Sequence, residues 1–305
     1  MNWTEKYRPQ MINELFGQHK FVEDAENWIE KGDMPNLLIH GMPGLGKTTV
    51  AHVLANHFLG EDKDSNFLEI NASQDRRLDT IREVITKFVT QKSMSNSKFK
   101  MVLLDELDGM TRDAQRALKR KMERATNVRF IITCNDPYGV DLPIRSRCAN
   151  YYFQPINPEI QKLALQGIIR QESASFSDEE IDKLLMICNG DMRRAINELQ
   201  ACILSGKSPD SIHQEHMKPY DTCINCLAEG KHGWATDFLL KLVYNGHTVK
   251  EICGKLLQSV LDNEELSNNI RFKLVATIGE MEWRGRSVTP KVLVTWFVAQ
   301  FMKNK

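Results

Sequence analysis

Between residues 36 and 154, short apolar runs alternate with segments whose apolar residues recur at helical spacing. The apolar runs predict five short strands, at 36–40, 67–70, 101–105, 129–134 and 151–153. The segments between them predict helices from the glycine-rich turn after the first strand to Phe58, over about 79–91 and over 111–125. Strict alternation of strand and helix implies an α/β fold with a mostly parallel sheet and helices on both faces. Ligands of such sheets bind at the carboxyl ends of the strands.

After Pro158 the strand signals fade, and helical periodicity continues through the rest of the sequence. Three helices are predicted first, over 159–171, 178–188 and 191–204, with Asp178 and Asp191 as caps. The polar segment 205–220 contains one glycine and two prolines and is interpreted as a linker. Further helices are predicted over 222–229, 232–244, 248–262, 265–282 and 289–303.

The pattern therefore predicts three domains. An α/β domain is expected over 1–157, a small helical domain over 158–207 and an all-helical domain over 220–305.

Composition narrows the class of protein. The 305 residues are 42% hydrophobic and 26% charged, as in soluble globular chains. Basic and acidic residues number 40 each, so the formal net charge is zero and a nucleic-acid contact must come from a local patch. No apolar run approaches the roughly 18–20 residues of a membrane span, and the amino terminus lacks a hydrophobic stretch of the secretory kind. We expect an intracellular protein, cytoplasmic or, in a eukaryote or one of its viruses, nuclear.

The seven cysteines are scattered, and the sequence does not predict a disulfide framework. Most are expected to be small buried hydrophobic residues. Two pairs have metal-ligand spacing, His213 with His216 and Cys223 with Cys226, but only six residues separate the pairs. Structural zinc sites usually have a dozen or more residues there. Chance placement on helices and linkers is the favoured interpretation, and zinc is the alternative.

The segment Gly41–Thr48 satisfies the P-loop pattern between a predicted strand and a predicted helix. Gly44 and Gly46 let backbone N–H groups approach phosphate oxygens without a Cβ in the way. Lys47 supplies a positive charge to the β- and γ-phosphates, and the Thr48 hydroxyl is suited to bind Mg²⁺. A plain glycine-rich turn is the competing interpretation, which the complete pattern disfavours. The residues expected to contact the nucleotide are Gly41, Met42, Pro43, Gly44, Leu45, Gly46, Lys47, Thr48 and Thr49.

An acidic pair, Asp105 and Glu106, follows the apolar third strand. Asp105 is suited to hold Mg²⁺ through its coordinated water, and Glu106 to polarise the attacking water as a general base. Two carboxylates that merely end a strand in solvent are the alternative, which the upstream P-loop disfavours. The sequence thus predicts an ATPase that uses ATP and Mg²⁺, with Asp105 and Thr48 at the metal.

Five motifs follow one another in the chain: Glu5-Lys-Tyr-Arg-Pro9, Asp105–Gln115, Cys134-Asn135, Ser146-Arg147-Cys148 and Gly190–Ala195. In this order they resemble the amino-terminal box, extended Walker B segment, sensor 1, SRC motif and sensor 2 of one family. That family is the small subunits of replication factor C, the AAA+ sliding-clamp loader of archaea and eukaryotes. The resemblance is dense from Trp3 to about Gln200 and thins beyond.

The resemblance implies catalytic roles for three residues besides Lys47 and Glu106. Asn135 would hydrogen-bond the attacking water or the γ-phosphate. Arg193 would reach the γ-phosphate from the small helical domain, so that nucleotide occupancy sets the angle between two domains. Arg147 would act in trans, in the ATP site of the neighbouring subunit; such arginines contribute about 10³–10⁵ in rate in other nucleotidases.

The resemblance also implies a base site and a collar, and the chain departs from the family pattern at Leu107 and within residues 71–80. Tyr7, Arg8 and Pro9 would lie over the adenine side of the nucleotide. Leu107 stands where the family usually has the small residue of Asp-Glu-Ala-Asp, and Arg77 stands where it usually has glycine. The carboxyl third carries no motif, and its assignment as the family's oligomerisation collar depends on position and helical pattern.

One predicted helix carries a basic stripe, defined as Arg112, Arg116, Arg120 and Arg124, opposite an apolar face. A solvated face is the usual interpretation, but the excess of cations also favours DNA phosphates or the nucleotide of a neighbouring subunit, and the sequence does not decide between these. Phosphate contacts would recognise the backbone and not base sequence. The residues expected to contact DNA are Arg76, Arg77, Arg82, Lys87, Arg112 and Arg116.

The favoured function is that of a clamp-loader ATPase subunit that places a sliding clamp on primer–template DNA. The implied partners are other loader subunits in a pentamer, whether identical or different, together with the clamp and DNA. Val84, Phe88 and Val89 are candidate clamp contacts, although they could equally be core. The alternatives are an AAA+ DNA translocase such as a branch-migration motor, which the amino-terminal box and SRC motif disfavour, and a non-catalytic architectural subunit, which the intact catalytic residues disfavour.

Overall fold

The structure is a computed structural model that describes residues 1–72, 78–91, 97–285 and 287–302, with the side chains of all of these except 78–82. The chain divides into two compact units, Met1–Gly206 and Lys207–Lys305. The first unit contains the sheet, and the second is helical in the part that the structure describes. The three helices of the predicted small helical domain belong to the first unit, and the division into three domains stays a prediction.

The first unit is built on a parallel sheet. Its strands are β1 (Leu37–Gly41), β2 (Phe67–Asn71), β3 (Lys100–Asp105), β4 (Val128–Cys134) and β5 (Ala149–Phe153). Their order across the sheet is β2-β3-β4-β1-β5, and every neighbouring pair is parallel. All five predicted strands are confirmed, with ends that differ by at most two residues.

Helices connect and flank these strands. They are α1 (Trp3–Lys6), α2 (His19–Lys31), α3 (Lys47–Leu59), α4 (Lys63–Asn66), α5 (Leu78–Thr90), α6 (Arg112–Arg124), α7 (Leu142–Arg145), α8 (Pro158–Gln171), α9 (Asp178–Cys188) and α10 (Met192–Ser205). The predicted helices α3, α5, α6 and α8–α10 are confirmed, whereas α1, α2, α4 and α7 lie where no element is predicted.

Strand residues alternate between the two faces of the sheet, as the pleat requires. On one face, the fully buried Leu104 and Phe130 pack in a core with residues of α5 and α6. On the other face, the fully buried Leu103 and Ile131 pack with residues of α2 and α3. Helices therefore cover both faces, as predicted.

Helix α6 shows the predicted division into two faces. Ala114, Leu118 and Met122 are buried in the core. The four arginines of the basic stripe are exposed. The Thr111 side chain caps the helix by accepting a hydrogen bond from the Ala114 amide.

Of the two predicted amino-terminal caps, that of α10 is confirmed and that of α9 is wrong. Asp191 caps α10, accepting a hydrogen bond from the Arg194 amide at 2.9 Å, as predicted. Asp178, however, is the first residue of α9 and not its cap. Ser177 caps this helix and forms a capping box with Glu180, because the two side chains satisfy each other's backbone amides.

The second unit consists of α11 (Pro209–Ala228), α12 (His232–Tyr244), α13 (Val249–Asp262), α14 (Asn268–Arg284) and α15 (Pro290–Met302). Their apolar residues share one core that includes Leu239, Leu256, Leu274 and Phe297, all fully buried. Among the described residues, no helix is long and apolar enough to cross a membrane.

The predicted linker over 205–220 is wrong for its larger part, because α11 already begins at Pro209. Ser208 caps this helix, and a proline is well suited to the first helical turn because it needs no amide donor there. Pro219 lies inside the helix, where a proline is costly. Met217 and Tyr220 are buried in the core on either side of it, and this burial outweighs the local signal.

The cysteines and histidines singled out above do not form a metal site. His216 is exposed on α11, whereas Cys223 of the same helix is fully buried in the core, so the two do not share a surface. Among the described residues, no group of three or more histidine, cysteine, aspartate or glutamate side chains could hold a metal ion. All seven cysteines are free, and all except Cys226 are buried, as predicted.

We expect Leu104→Ala to destabilise the first unit by about 2–5 kcal/mol, since it removes buried methyl groups from the centre of the sheet. Denaturant-induced unfolding of the full chain, followed by circular dichroism, measures the loss. Leu163→Ala is the matched control, because Leu163 is 63% exposed on α8. Similar unfolding free energies for the two variants would contradict the assigned core.

Candidate nucleotide-binding and catalytic site

The P-loop lies between the end of β1 and the start of α3, as its pattern predicts. Gly44 has a left-handed backbone with φ of 77°. A Cβ added there would lie 1.8 Å from the Asp191 carboxylate. Glycine is therefore required at this position both by the backbone and by the close approach of the cap of α10.

Lys47 is buried at the centre of the site. Its Nζ donates to the backbone oxygens of Gly41 and Met42, each at 2.8 Å, and to Oδ1 of Asn135 at 2.9 Å. Burial lowers the pKa of Lys47, and the nearby Asp105 carboxylate opposes this effect. The three hydrogen-bond acceptors are neutral, so they orient the ammonium without cancelling its charge. A charge kept in this way is suited to attract phosphate oxygens.

Asp105 ends β3 beside the first turn of α3. The Thr48 hydroxyl donates to its Oδ1 and Oδ2 at 3.1 and 3.2 Å. The buried Thr133 hydroxyl also donates to the Asp105 carboxylate and accepts from the Glu106 amide at 3.1 Å. Hydroxyl and carboxylate oxygens are the ligands that Mg²⁺ prefers. Thr48 and Asp105 therefore fit this ion, which would neutralise charge on the β- and γ-phosphate oxygens when bound.

Glu106 has a left-handed backbone, with φ of 56°, that residues other than glycine rarely adopt. The hydrogen bond from its amide to Thr133 holds this conformation. The Glu106 side chain is exposed, with no hydrogen bond or ion pair within the described part of the chain. A free, exposed carboxylate beside Asp105 is suited to accept a proton from water.

Asn135 follows β4 and is held by Asp108, a residue of the Asp105–Gln115 motif for which the sequence motifs predict no role. Oδ2 of Asp108 accepts hydrogen bonds from the amides of Asn135 and Asp136, at 3.1 and 3.0 Å. The buried Gln115 likewise connects α6 to the segment that follows β4. Its Nε2 donates to the Gly139 carbonyl at 2.9 Å, and its Oε1 accepts from the Asp141 amide at 2.7 Å.

A cavity beside the P-loop brings together residues that are far apart in sequence. Arg193 lines it together with Met192 and Ile196 of α10. Phe16 and Ile156 add apolar side chains. The lining residues from the box, the P-loop and the start of α3 include Glu5, Tyr7, Arg8, Pro9, Gly44, Leu45, Gly46 and Thr49. An apolar cavity next to a phosphate loop is suited to a nucleotide base.

Arg147 lies apart from this cluster. Its guanidinium donates to the Pro143 carbonyl at 2.6 Å and to Glu123 of α6 at 2.5 Å. Strand β5 begins just after it, at Ala149, which pairs with Leu37 at the start of β1. The P-loop follows the opposite end of β1. Arg147 therefore lies near the amino-terminal ends of the strands, and the P-loop lies at their carboxyl ends.

The candidate DNA contacts are only partly described. Arg76, Arg77 and the side chain of Arg82 lie outside the described residues. Arg112 and Arg116 are exposed on α6, with Arg116 paired to Asp113 at 3.3 Å. Basic side chains of α5 and α6 line a shared groove, namely Lys87, Arg120, Lys121 and Arg124.

The candidate clamp contacts divide between surface and core. Val84 is 40% exposed on α5. Phe88 and Val89 are only partly buried, but they pack against the sheet core. Packing in the core accounts for these two residues, and Val84 alone remains a surface candidate.

Residues 37–156 match the family model of the ATPase family associated with various cellular activities (AAA). Together with the parallel sheet and the P-loop, this match defines the class of protein as an AAA ATPase, which binds ATP.

Relatives narrow the class. The replication factor C small subunit of Methanococcus vannielii is 36% identical over 290 residues, which cover 92% of each chain. That of Archaeoglobus fulgidus is 32% identical, covering 92% of this chain and 91% of the relative. The chain belongs to the replication factor C small-subunit family of AAA+ clamp loaders, which confirms the resemblance seen in the motifs.

A solved structure supports the fold. RuvB from Thermotoga maritima, a Holliday junction branch migration motor, superposes with a TM-score of 0.57 at 14% identity, covering 82% of this chain and 85% of RuvB. At this identity the likeness shows the AAA+ fold alone.

We expect Thr133→Val to lower the maximal ATPase rate about 10–100-fold, because it removes the hydroxyl that orients Asp105 and the Glu106 amide. Steady-state hydrolysis measures the rate, and thermal unfolding checks the fold. Thr133→Ser keeps the hydroxyl and should retain most of the activity. A Ser variant as slow as the Val variant would indicate a packing role instead.

Proposed function

We propose that the chain is an ATP-hydrolysing subunit of a ring assembly that opens a sliding clamp and places it on primer–template DNA. ATP binding would complete sites between neighbouring subunits and hold the clamp open, and hydrolysis after DNA docking would release it. Membership of the replication factor C small-subunit family and the assembled catalytic residues support this proposal.

The observation that carries the proposal is the place of Arg147. Ala149 pairs with Leu37 at one end of β1, and Phe153 pairs with Gly41 at the other end, where the P-loop begins. Arg147 comes before Ala149, so more than four residues along the strand direction separate it from the P-loop end of the sheet. At about 3.3 Å per residue this separation exceeds 13 Å. A half-exposed guanidinium at the opposite end of the strands cannot serve its own site, but it can serve the site of a neighbour.

Within one protomer, each residue would have a separate task. Lys47 would contact the β- and γ-phosphates, and Thr48 and Asp105 would hold Mg²⁺. Glu106 would take a proton from the attacking water, which Asn135 would orient. Arg193 would reach the γ-phosphate from α10, so that the lid helices α8–α10 respond to the nucleotide.

The basic stripe supports a DNA-facing role for α6. Within the described residues, Arg120, Lys121 and Arg124 have no ion pair, and they share a groove with Lys87. The lining of this groove includes one acidic residue, Glu83, against these four cations, so its net positive charge would attract phosphates along a backbone without reading base sequence. The helical second unit would assemble the ring as a collar, with five subunits as the expected number.

The test is the ATPase activity of the purified assembly with and without clamp and primed DNA. Stimulation by the two together, greater than the product of their separate effects, is expected. Strand unwinding would instead indicate a translocating motor, and absence of hydrolysis under every condition would indicate an architectural subunit.

We expect Arg147→Ala to reduce the turnover of the assembly by about 10³-fold or more while nucleotide affinity stays nearly unchanged. Fluorescent-nucleotide titration separates affinity from rate. Arg170→Ala, at an exposed arginine of α8, is the matched control and should hydrolyse ATP normally. An equal loss of nucleotide binding and turnover in Arg147→Ala would contradict the proposed role of Arg147 in the site of a neighbouring subunit.

A further inference from the structure

Glu172, at the carboxyl end of α8, joins the amino-terminal box to the lid helices. We propose that Glu172 is a positioning residue for the nucleotide base: it fixes Tyr7 to the lid, so that the box and the lid together form the wall against which the base packs. The proposal depends on ATP binding by the AAA fold and not on clamp loading.

The first link is a shared carboxylate oxygen. Oε1 of Glu172 accepts hydrogen bonds from Nζ of Lys6 and from the hydroxyl of Tyr7, both at 2.7 Å. These donors are adjacent in sequence but lie more than 160 residues from Glu172 in the chain. Because the contact joins residues that are distant in the chain, it attaches the box to the end of α8 and not merely to its own neighbours in sequence.

The second link lies on α10. Gln200 accepts from the Trp3 amide at 3.1 Å and donates to the Met1 carbonyl at 3.0 Å. Trp3 is only 6% exposed, and its ring packs edge-on against the Tyr7 ring, with 6.1 Å between the ring centroids. Two lid helices thus hold the amino-terminal segment, one by Glu172 and one by Gln200.

The charges of this cluster keep it intact near neutral pH. Hydrogen bonds from Lys6 and then from Tyr7 lower the pKa of Glu172, so the carboxylate stays ionised. The Glu172 hydrogen bond raises the pKa of Lys6, which stays charged. Burial, followed by the Glu172 hydrogen bond, raises the pKa of Tyr7, which stays protonated and continues to donate.

The same tyrosine lines the cavity beside the P-loop. Tyr7 faces it from the box, and Met192 and Ile196 face it from α10. The box continues into Gln10, whose side-chain oxygen accepts from Asn56 of α3 at 3.0 Å. A base that enters this cavity therefore contacts a wall fixed to the lid, and its binding energy favours one lid position.

The experiment compares ATP with inorganic tripolyphosphate, which offers the phosphates without a base. Binding to the full chain is measured by competition against a fluorescent ADP analogue. We expect Glu172→Ala to weaken ATP binding about threefold to tenfold, since it removes two hydrogen bonds to a partly buried carboxylate, and to leave tripolyphosphate binding unchanged. Glu172→Gln retains the acceptor oxygen and should be intermediate.

Two further variants sharpen the test. Glu159→Gln changes an exposed carboxylate in the first turn of α8 and should bind both ligands normally. Tyr7→Phe removes one donor, and combined with Glu172→Ala it should weaken ATP binding by less than the product of the two single effects. Equal weakening of ATP and tripolyphosphate, or no change in either, would overturn the proposal. Because only binding to the free chain is measured, failure of clamp loading would not affect this result.

Discussion

The parallel register of the sheet is the constraint on which the candidate catalytic site depends. Because β3, β4 and β1 run in the same direction, the residues that follow them meet at one edge of the sheet. Asp105, Thr133 and Lys47 are brought into one cluster in this way, although each comes from a different part of the chain. A slip of one strand by a single residue would turn these side chains to the other face.

The same register separates the two halves of the proposed composite site. Strand β5 lies beside β1, and Arg147 comes just before its first residue, Ala149, so the guanidinium is placed at the end of the strands opposite the P-loop. Glu123 of α6 and the Pro143 carbonyl use part of its donor set and fix its plane. A planar group with two donors already oriented loses less freedom when it meets a further anion.

The elements that carry the site could be predicted from the sequence because their signals are local. The P-loop, the acidic pair after β3 and the helical stretches all have short patterns of glycine, charge or apolar spacing. The contacts that position them could not. Asp108 and Gln115 act through backbone groups of the loop after β4, and nothing in their own neighbourhood indicates that partner.

Thr133 is an intermediate case. Leu104 of β3 pairs with Ile132 of β4, and the next residues of the two strands are Asp105 and Thr133. Aligning β3 with β4 would therefore have placed Thr133 beside Asp105. The misread linker has a different cause. Prolines at 209 and 219 favour a break when judged locally, whereas burial of Met217 and Tyr220 in the core of the second unit keeps the helix continuous.

The burial of the cysteines affects how the protein can be labelled. Burial raises the pKa of the Cys134, Cys148 and Cys223 thiols to about 12, so little of the reactive thiolate forms at neutral pH. Cys226 on α11 is the one cysteine that reaches the surface. A maleimide dye applied to the folded chain should attach there first, which gives the helical second unit a spectroscopic probe without any engineered residue.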